Sequence, residues 1–381
     1  MNVSRPYLSV VVPAHQAAGV LPLSLAGLRD SELPRQCWEL IVVDDASEDD
    51  TSLVAAEYAD AVIRLPCKPR GPAYTRNRGC EASQGEILVF VDSDVVVHAE
   101  TLSQFAALFA ADPDLAAAFG SYDSRPTGSG VVSQYRNLMH HYVHQRGGGE
   151  AETFWAGCGA VRREVFMAVG MFDEWHYPRP QIEDLELGRR MCRSGHRILL
   201  CPEIQGTYLK RWTIGNMLAT DLKDRGVPWM QLLLQEGAAA ASATLNVRAT
   251  DRWCTALIGA ALLSVAAAIA LWMTPPLLVA VGAPAVVVFL NRAFYAFLRR
   301  ERGVLFAAAA IPLHLLYYVL NGVSVIVGSL VYTLFGGPLP SDDASAQEAI
   351  GIRTWPPGPR PPASGFWNPP DHGKGRGAHR P

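Results

Sequence analysis

Several things are missing from this chain, and each absence removes a class of protein. Residues 1–9 lack a basic segment followed by a long apolar one, so no secretory leader is expected. The seven cysteines, at 37, 67, 80, 158, 192, 201 and 254, form no C-x-x-C pair. Their spacing supports neither a zinc knuckle nor a disulfide framework, and it fits a reducing compartment. The formal charge is −3 over 381 residues, so there is no basic excess to attract nucleic acid. No internal repeat is evident. The sharpest lack is local: Trp253 to Asn291 holds no Asp, Glu, Lys or Arg, and neither does Val304 to Phe335.

About 20 apolar residues cross a bilayer as a helix. Trp253 to Met273 meets that length, and Thr274-Pro275-Pro276 reads as a tight turn. Leu277 to Leu290 reaches it only by running past Arg292 toward Leu298, with the arginine snorkelling. Val304 to Phe335 exceeds it, with Pro312 or Asn321-Gly322 as places to bend. About three membrane helices are therefore expected over 253–335. Arg248 and Arg252 flank the first, and Arg292, Arg299, Arg300 and Arg302 lie between the second and third. The positive-inside rule makes both sites cytoplasmic. The part before the first span is then cytoplasmic too, and three crossings put the chain's end outside. The remaining divisions are a first domain over 1–230, an interfacial linker over 231–252, and a Pro- and Gly-rich tail over 336–381 that reads as disordered. Between the parts, Ile214, Met217, Leu218 and Leu222 recur at helical spacing. That helix either lies at the membrane interface or packs on the first domain.

Within 1–230 the most informative stretch is Ile87-Leu88-Val89-Phe90-Val91-Asp92-Ser93-Asp94. Five apolar β-formers read as a buried strand that delivers two aspartates to its C-terminal end. The repulsion between them is relieved by a divalent cation, and Mg²⁺ or Mn²⁺ takes oxygen ligands and shares its shell with phosphates. Leu8 to His15 and Leu40 to Ser47 read as two more strands, the second again ending in paired acids, Asp44 and Asp45. Ala61 to Leu65 is a weaker third. Helical patterns over Gly19 to Asp30 and Asp50 to Tyr58 alternate with them. That alternation predicts an α/β fold with a mostly parallel mixed sheet, ligands gathering at the strand C-termini.

These residues resemble the family 2 glycosyltransferases, which have the GT-A fold. The resemblance covers residues 7 to about 225. V-V-P-A-H-Q opens it, and D-D-A-S-E-D-D-T follows from Asp44 to Thr51. G-P-A-Y-T-R-N-R-G runs from Gly71 to Gly79, and D-S-D from Asp92 to Asp94. W-A-G-C-G-A-V-R-R-E-V-F spans Trp155 to Phe166, and E-D-L-E-L-G-R-R spans Glu183 to Arg190. Each motif alone is common; six in the family's order are specific.

The resemblance implies a nucleotide-diphosphate sugar donor and an inverting transfer to a lipid-linked or glycan acceptor. Pro13 and Ala14 would offer backbone groups to the base. Asp44 or Asp45 would recognise the nucleoside; otherwise they cap helices. Arg76 supplies a planar cation for base or phosphate. Asp94 is the metal ligand, with Asp92 contacting ribose or the metal through water. Asp184 is the base, and Gly157, Glu183, Arg211 and Trp212 stand on the acceptor side. His15 and Cys158 are expected to be structural. Processive members carry Q-x-x-R-W, and here Tyr208 replaces the glutamine before Arg211 and Trp212. Single-sugar transfer is therefore expected over a processive polysaccharide synthase. The alternative of another class is a catalytically silent nucleotide-binding scaffold in the membrane.

Overall fold

The computed structural model describes residues 5–66, 68–237, 249–272, 274 and 276–337. Cys67, Met273, Pro275 and the tail beyond Gly337, on which parts of the sequence reading fall, lie outside them, as does half of the linker, 238–248, with Arg248. One mixed sheet organises the first part of the chain. Its strands are β1 (Leu8–Ala14), β2 (Trp38–Asp44), β3 (Ala61–Arg64), β4 (Ile87–Val91), β5 (Val95–Val97), β6 (Leu115–Tyr122), β7 (Gly149–Glu150), β8 (Cys158–Arg162) and β9 (Arg197–Tyr208). The order across the sheet is β3-β2-β1-β4-β8-β6-β9-β5, with β7 paired to β9.

The sheet has two halves. β3, β2, β1 and β4 are all parallel, in register Val11 to Ile41 and Val10 to Val89. The residues of β1, β2 and β4 are buried on both faces, which is why these strands read as unbroken apolar runs rather than alternating ones, whereas the edge strand β3 is partly exposed. β8 then runs antiparallel to both β4 and β6, and β9 runs parallel to β6. The sheet is therefore mixed, with four adjacent parallel strands in its N-terminal half and one further parallel pair, β6 and β9, beyond the antiparallel β8.

Helices cover both faces. On one lie α1 (Leu21–Arg29), α4 (Thr101–Ala111) and α5 (Val131–Gln145). On the other lie α3 (Pro72–Ala82), α6 (Arg163–Ala168) and α7 (Glu183–Arg193), around Phe90 with Phe154, Phe166 and Phe172 at centroid distances of 5.1–6.3 Å. The short α2 (Thr51–Ala56) follows β2.

After β9 come α8 (Ile214–Ala219), a π-helical stretch over Thr220–Gly226, and α9 (Val227–Glu236). Thr213 opens α8 with a reciprocal cap, its hydroxyl accepting from Asn216 N–H. The helix foreseen over 214–222 packs on the first domain, with Met217 buried in its core, and Glu236 of α9 pairs with Arg189 of α7 at 2.6 Å. Then follow α10 (Ala249–Leu271), α11 (Pro276–Leu290), α12 (Arg292–Arg302) and α13 (Val304–Phe335). By length and composition α10 and α13 can each cross a membrane, and α11 with α12 forms a pair bent by 66°. The core beside α5 runs on without a break into Phe294 and Leu298 of α12 and Ala307, Ala310 and Leu313 of α13.

Candidate active site

The parallel strands end on one rim, and the chain's tight turns there fix where each side chain points. β1 ends at Ala14, whose carbonyl accepts from Asp45 N–H at 2.8 Å. Gln16 (φ 50°) and Ala46 (φ 55°) sit in the left-handed region just beyond β1 and β2, a strained conformation for side-chain-bearing residues. Asp45 accepts from the N–H groups of Arg70 at 2.8 Å and Gly71 at 2.7 Å, pinning the start of α3. Gly71 has φ 87°, and a Cβ there would collide with the Pro178 carbonyl, so only glycine fits that turn. At the end of β4, Asp92 N–H donates to Gly157 O at 3.1 Å, and Asp94 O accepts from Leu209 N–H at 2.9 Å.

A cavity of about 870 Å³ opens along this rim. Pro13, Ala14, His15 and Asp45 line one end, and Asp92, Asp94 and Asp184 line the middle. The far end is lined by α5, by the π-helical stretch, and by Asn291, Phe294, His314, Tyr317 and Tyr318 of the C-terminal helices.

Arg76 ties the carboxylates together. It rises from α3, fully packed, and donates to Asp92 Oδ1 at 2.7 Å and Glu183 Oε1 at 3.0 Å. Burial opposes its charge, but Asp92 and Glu183 more than offset that and hold the guanidinium above its usual range. One residue on, Asn77 bonds Phe172 O and Glu174, and Gly79 lets α3 press onto Val11. The R-N-R-G motif is thus a brace between the sheet and α7.

Asp94 has no such brace. Among the described residues no other residue donates a hydrogen bond to its carboxylate. Burial, and then the charge of Asp92, push it up to about 7, with Lys210 opposing. Asp184, at the start of α7, is likewise pushed up to about 7, by burial and then by Glu183. Its Oδ2 accepts from Ala156 N–H at 3.1 Å and its Oδ1 from Leu185 N–H at 2.8 Å. Glu186, two residues later and so on the other side of the helix, turns away to Arg190 at 2.6 Å. The cavity therefore carries two carboxylates poised to exchange protons near neutrality, at the ends of different elements.

The wall opposite the rim is aromatic. Tyr208 stacks on Tyr122 at 4.2 Å and 12°, and Trp155 meets Tyr122 edge-on at 4.7 Å. His140 and His144 of α5 flank Trp155, and burial keeps both neutral, His144 down to about 4. Five cations line the space: Arg76, Arg136, Arg179, Lys210, and Arg225 from the π-helical stretch, which makes no side-chain hydrogen bond or ion pair among the described residues, although Asp221 and Asp184 favour its charge. Arg136 is paired with Asp221.

Several residues singled out from the sequence lie elsewhere. Asp44 is buried behind the rim, accepting from Ser47 N–H at 3.0 Å and from the Ser52 hydroxyl, and does not line the cavity. Arg211 is exposed, and Trp212 packs beneath Lys210 at 4.5 Å and Arg136 at 5.5 Å. Gly157 lies under Trp155, whose ring would meet a Cβ there. Lys210, Arg225, Trp155 and Tyr122 line the cavity without having been singled out. Lys210 had a usable signal: two residues after Tyr208, it continues the face that β9 turns to the cavity.

The donor set can be tested against a divalent cation. Among the described residues no cluster of three or more His, Cys, Asp or Glu side chains can hold one. Asp92 and Asp94 form a pair at the cavity wall, and the second is charge-frustrated. One or two carboxylates completed by substrate oxygens is the usual Mg²⁺ arrangement, so the residues fit.

A rim of strand-end carboxylates, faced across one cavity by a helix-borne acid, belongs to a group-transfer enzyme. Residues 9–170 match the model of Glycosyl transferase family 2, and the chain carries a family 2 glycosyltransferase domain. It is similar to Glycosyltransferase AglE of Haloferax volcanii, 30% identical over 108 residues. It is also similar to the poly(ribitol-phosphate) beta-N-acetylglucosaminyltransferase TarS of Staphylococcus aureus, 33% identical over 103 residues. The matched stretches cover 27% and 26% of this chain, and the chain spans only 36% and 18% of the length of these relatives. Among solved structures, mannosyltransferase PcManGT from Pyrobaculum calidifontis, in complex with GDP-Man and Mn²⁺, aligns over 87% of this chain and 88% of its own, at 18% identity and a TM-score of 0.48.

Proposed function

We propose that this chain is a membrane-anchored inverting glycosyltransferase that moves one sugar per encounter from a nucleotide-diphosphate sugar to a lipid-linked acceptor, with its catalytic domain in the cytoplasm. One observation carries the acceptor half of this reading. A single cavity joins the strand-end carboxylates to Asn291, His314, Tyr317 and Tyr318, which stand on helices of membrane-compatible composition. A soluble glycan would need no such continuity.

The nucleoside end of the donor lies against Pro13, Ala14 and Asp45. Asp92 faces the ribose and diphosphate, held in place by Arg76, which acts on the donor through that carboxylate. Asp94, with Asp92 beside it, would hold Mg²⁺ or Mn²⁺, and such an ion when bound stabilises the negative charge of a departing diphosphate. The sugar sits against Trp155 and the Tyr122–Tyr208 stack. In the transfer step an acceptor oxygen forms the new bond to the anomeric carbon. The bond to the diphosphate breaks, and its electron pair leaves with that group. A hydroxyl acceptor loses its proton to Asp184, whose raised basicity suits it to take a proton near neutral pH. The stacked Tyr208, in place of a glutamine, supports release after one sugar.

The test is full-length protein in lipid nanodiscs with radiolabelled nucleotide sugars and a membrane-lipid extract. Label should move into the organic phase for at least one donor, and excess EDTA should stop it. Label that enters only water-soluble polymer, or only free sugar, for every donor rejects the reading.

A further inference from the structure

We infer that α13, although long and apolar enough to cross a bilayer, lies in the plane of one leaflet and roofs the catalytic cavity. The reason is where its ends rest. Just before it, Arg302 donates to Ser124 O and to Gln134 Oε1, both at 2.8 Å, on the catalytic domain. Near its other end a Cβ on Gly328 would stand 2.7 Å from Met230 Cβ and 3.1 Å from the Val227 carbonyl of α9. Between them Gly226, at the close of the π-helical stretch, touches Ser324 so closely that no side chain fits there. α9 is itself tied to the catalytic domain through Glu236 and Arg189. A helix that touches one side of a membrane at both ends does not traverse it.

The pattern along the helix agrees. Ala307, Ala310, His314, Tyr318, Ser324 and Gly328 form one buried stripe. From 307 to 328 that is 21 steps, about 32 Å at 1.5 Å per residue, laid against the domain at both ends and against the α10–α11 hairpin at Tyr318. The opposite face is apolar and bare, with Leu305 84% and Ile326 69% exposed. Here the lipid-facing stripe runs parallel to the domain surface.

The neighbouring helices supply the membrane itself. α10 and α11 form a hairpin whose two ends meet the middle of α13, where the Tyr318 hydroxyl lies 3.3 Å from both Asp251 and Asn291. Its far part is exposed and apolar, with Trp272 95% and Leu278 79% accessible. The hairpin enters the bilayer and returns. The exposed Arg292, Arg299 and Arg300 of α12 sit at the level of anionic headgroups. The partner of this surface is therefore one leaflet of an anionic bilayer. The polar inner face of α13, with His314, Tyr317 and Asn321 on the cavity, separates the reaction space from the acyl chains. The end of α13 then lies on the catalytic side, and not across the membrane as three crossings would place it.

This inference rests on the proposed membrane anchoring but not on any sugar-transfer activity. Full-length protein would carry one epitope at its N-terminus and another after Pro381, probed by protease accessibility in intact cells and inverted vesicles. Both tags should be cut from the same side; cutting from opposite sides overturns the inference. A fluorescent amino acid placed at Leu305, Ile326 or Leu334 would be quenched by lipids spin-labelled at graded depths. The three sites should lie at one depth, within about one helix diameter of 10 Å. A steady change in depth along the 29 steps from 305 to 334, about 43 Å of helix, overturns it. Complete release of the protein by carbonate overturns the in-plane and the anchoring readings together.

Discussion

The two ends of the cavity are held by different means. At the strand rim, each charged group is fixed within a few residues of a buried strand. Asp92 is set by a backbone bond to Gly157 and by Arg76, and Asp45 by two amides of the α3 turn. At the helix end the walls come from α5, the π-helical stretch, α12 and α13, packed through Phe294, Tyr135 and His314 at centroid distances of 5.0–6.3 Å. The rim is stiff and polar, suited to a diphosphate of constant geometry. The helix end is aromatic, with neutral histidines and, in Arg225, a cation that makes no hydrogen bond or ion pair among the described residues. Disturbing the rim should abolish chemistry. Disturbing the helix end should change which acceptor is used and how tightly.

The largest effect is expected at Asp94. Its carboxylate carries a charge that burial and Asp92 both disfavour, so a cation is needed to hold it ionised beside a diphosphate. Loss of that electrophilic stabilisation is worth several kcal/mol, on the order of 10³-fold in rate or more. Asp94→Ala should bring radiolabel transfer to background while leaving the thermal melt intact. Turnover of the variant near the wild-type rate would detach the rim from the chemistry.

Asp184→Asn comes next, with kcat on a hydroxyl acceptor falling by about 10² to 10⁴ and donor affinity nearly unchanged. The pH profile sharpens this. Asp184 must be ionised to accept a proton, and its carboxyl is raised to about 7 by burial and Glu183. Wild-type kcat/KM should therefore rise with pH through about 7 and level off above it. Asp94, raised to the same region, adds a second proton to the acid limb until saturating cation displaces it. The limb should steepen toward slope two at low Mg²⁺, and the Asn variant should lose the Asp184 step. An ionised phosphate acceptor would show little dependence on either the mutation or that step.

A smaller loss, in stability rather than rate alone, belongs to Arg76. Arg76→Met leaves Asp92 and Glu183 without their shared cation. Breaking a buried pair from one side costs about 3–5 kcal/mol. Differential scanning of detergent-solubilised protein should show the catalytic domain melting lower, and Arg76→Lys, which keeps the charge but not the fork, should recover part of it. Unchanged melting for the Met variant would mean that the brace does not hold α7 to the sheet.

The rim was legible in the sequence because its signals are local. Strands β1, β2 and β4 announce themselves as apolar runs, and their acids follow at once. Even there, sequence order did not reveal that Asp44 turns behind the rim to Ser47 and Ser52, since adjacent residues on an extended chain point to opposite sides. The antiparallel half was harder. β6, with its alanines, carries no alternation because it is buried throughout. The helix end was largely illegible. Trp155, Arg225 and His314 meet only through packing between elements far apart in sequence, and no spacing rule connects them. Hydropathy found α13 but not its orientation, which depends on what touches Arg302 and Gly328.

The smallest expected effect tests the helix end most directly. Arg225 lines the cavity from the π-helical stretch, between Asp184 and the C-terminal helices, with no hydrogen-bond or ion-pair partner among the described residues. Asp221 and Asp184 favour its charge from nearby without a direct contact, which leaves its donors for a guest that brings an anion. An acceptor with a phosphate head supplies one, and a neutral glycolipid does not. Arg225→Gln keeps a polar side chain of similar reach and removes the charge. With an anionic acceptor its KM should rise about tenfold, the equivalent of about 1.4 kcal/mol. The KM for the nucleotide sugar should stay put, because the donor lies at the rim. The salt sensitivity of acceptor binding should also weaken, since a partly screened charge pair has been removed. If instead the donor KM rises and the acceptor KM does not, Arg225 serves the diphosphate, and the division of the cavity into a donor rim and an acceptor end is wrong.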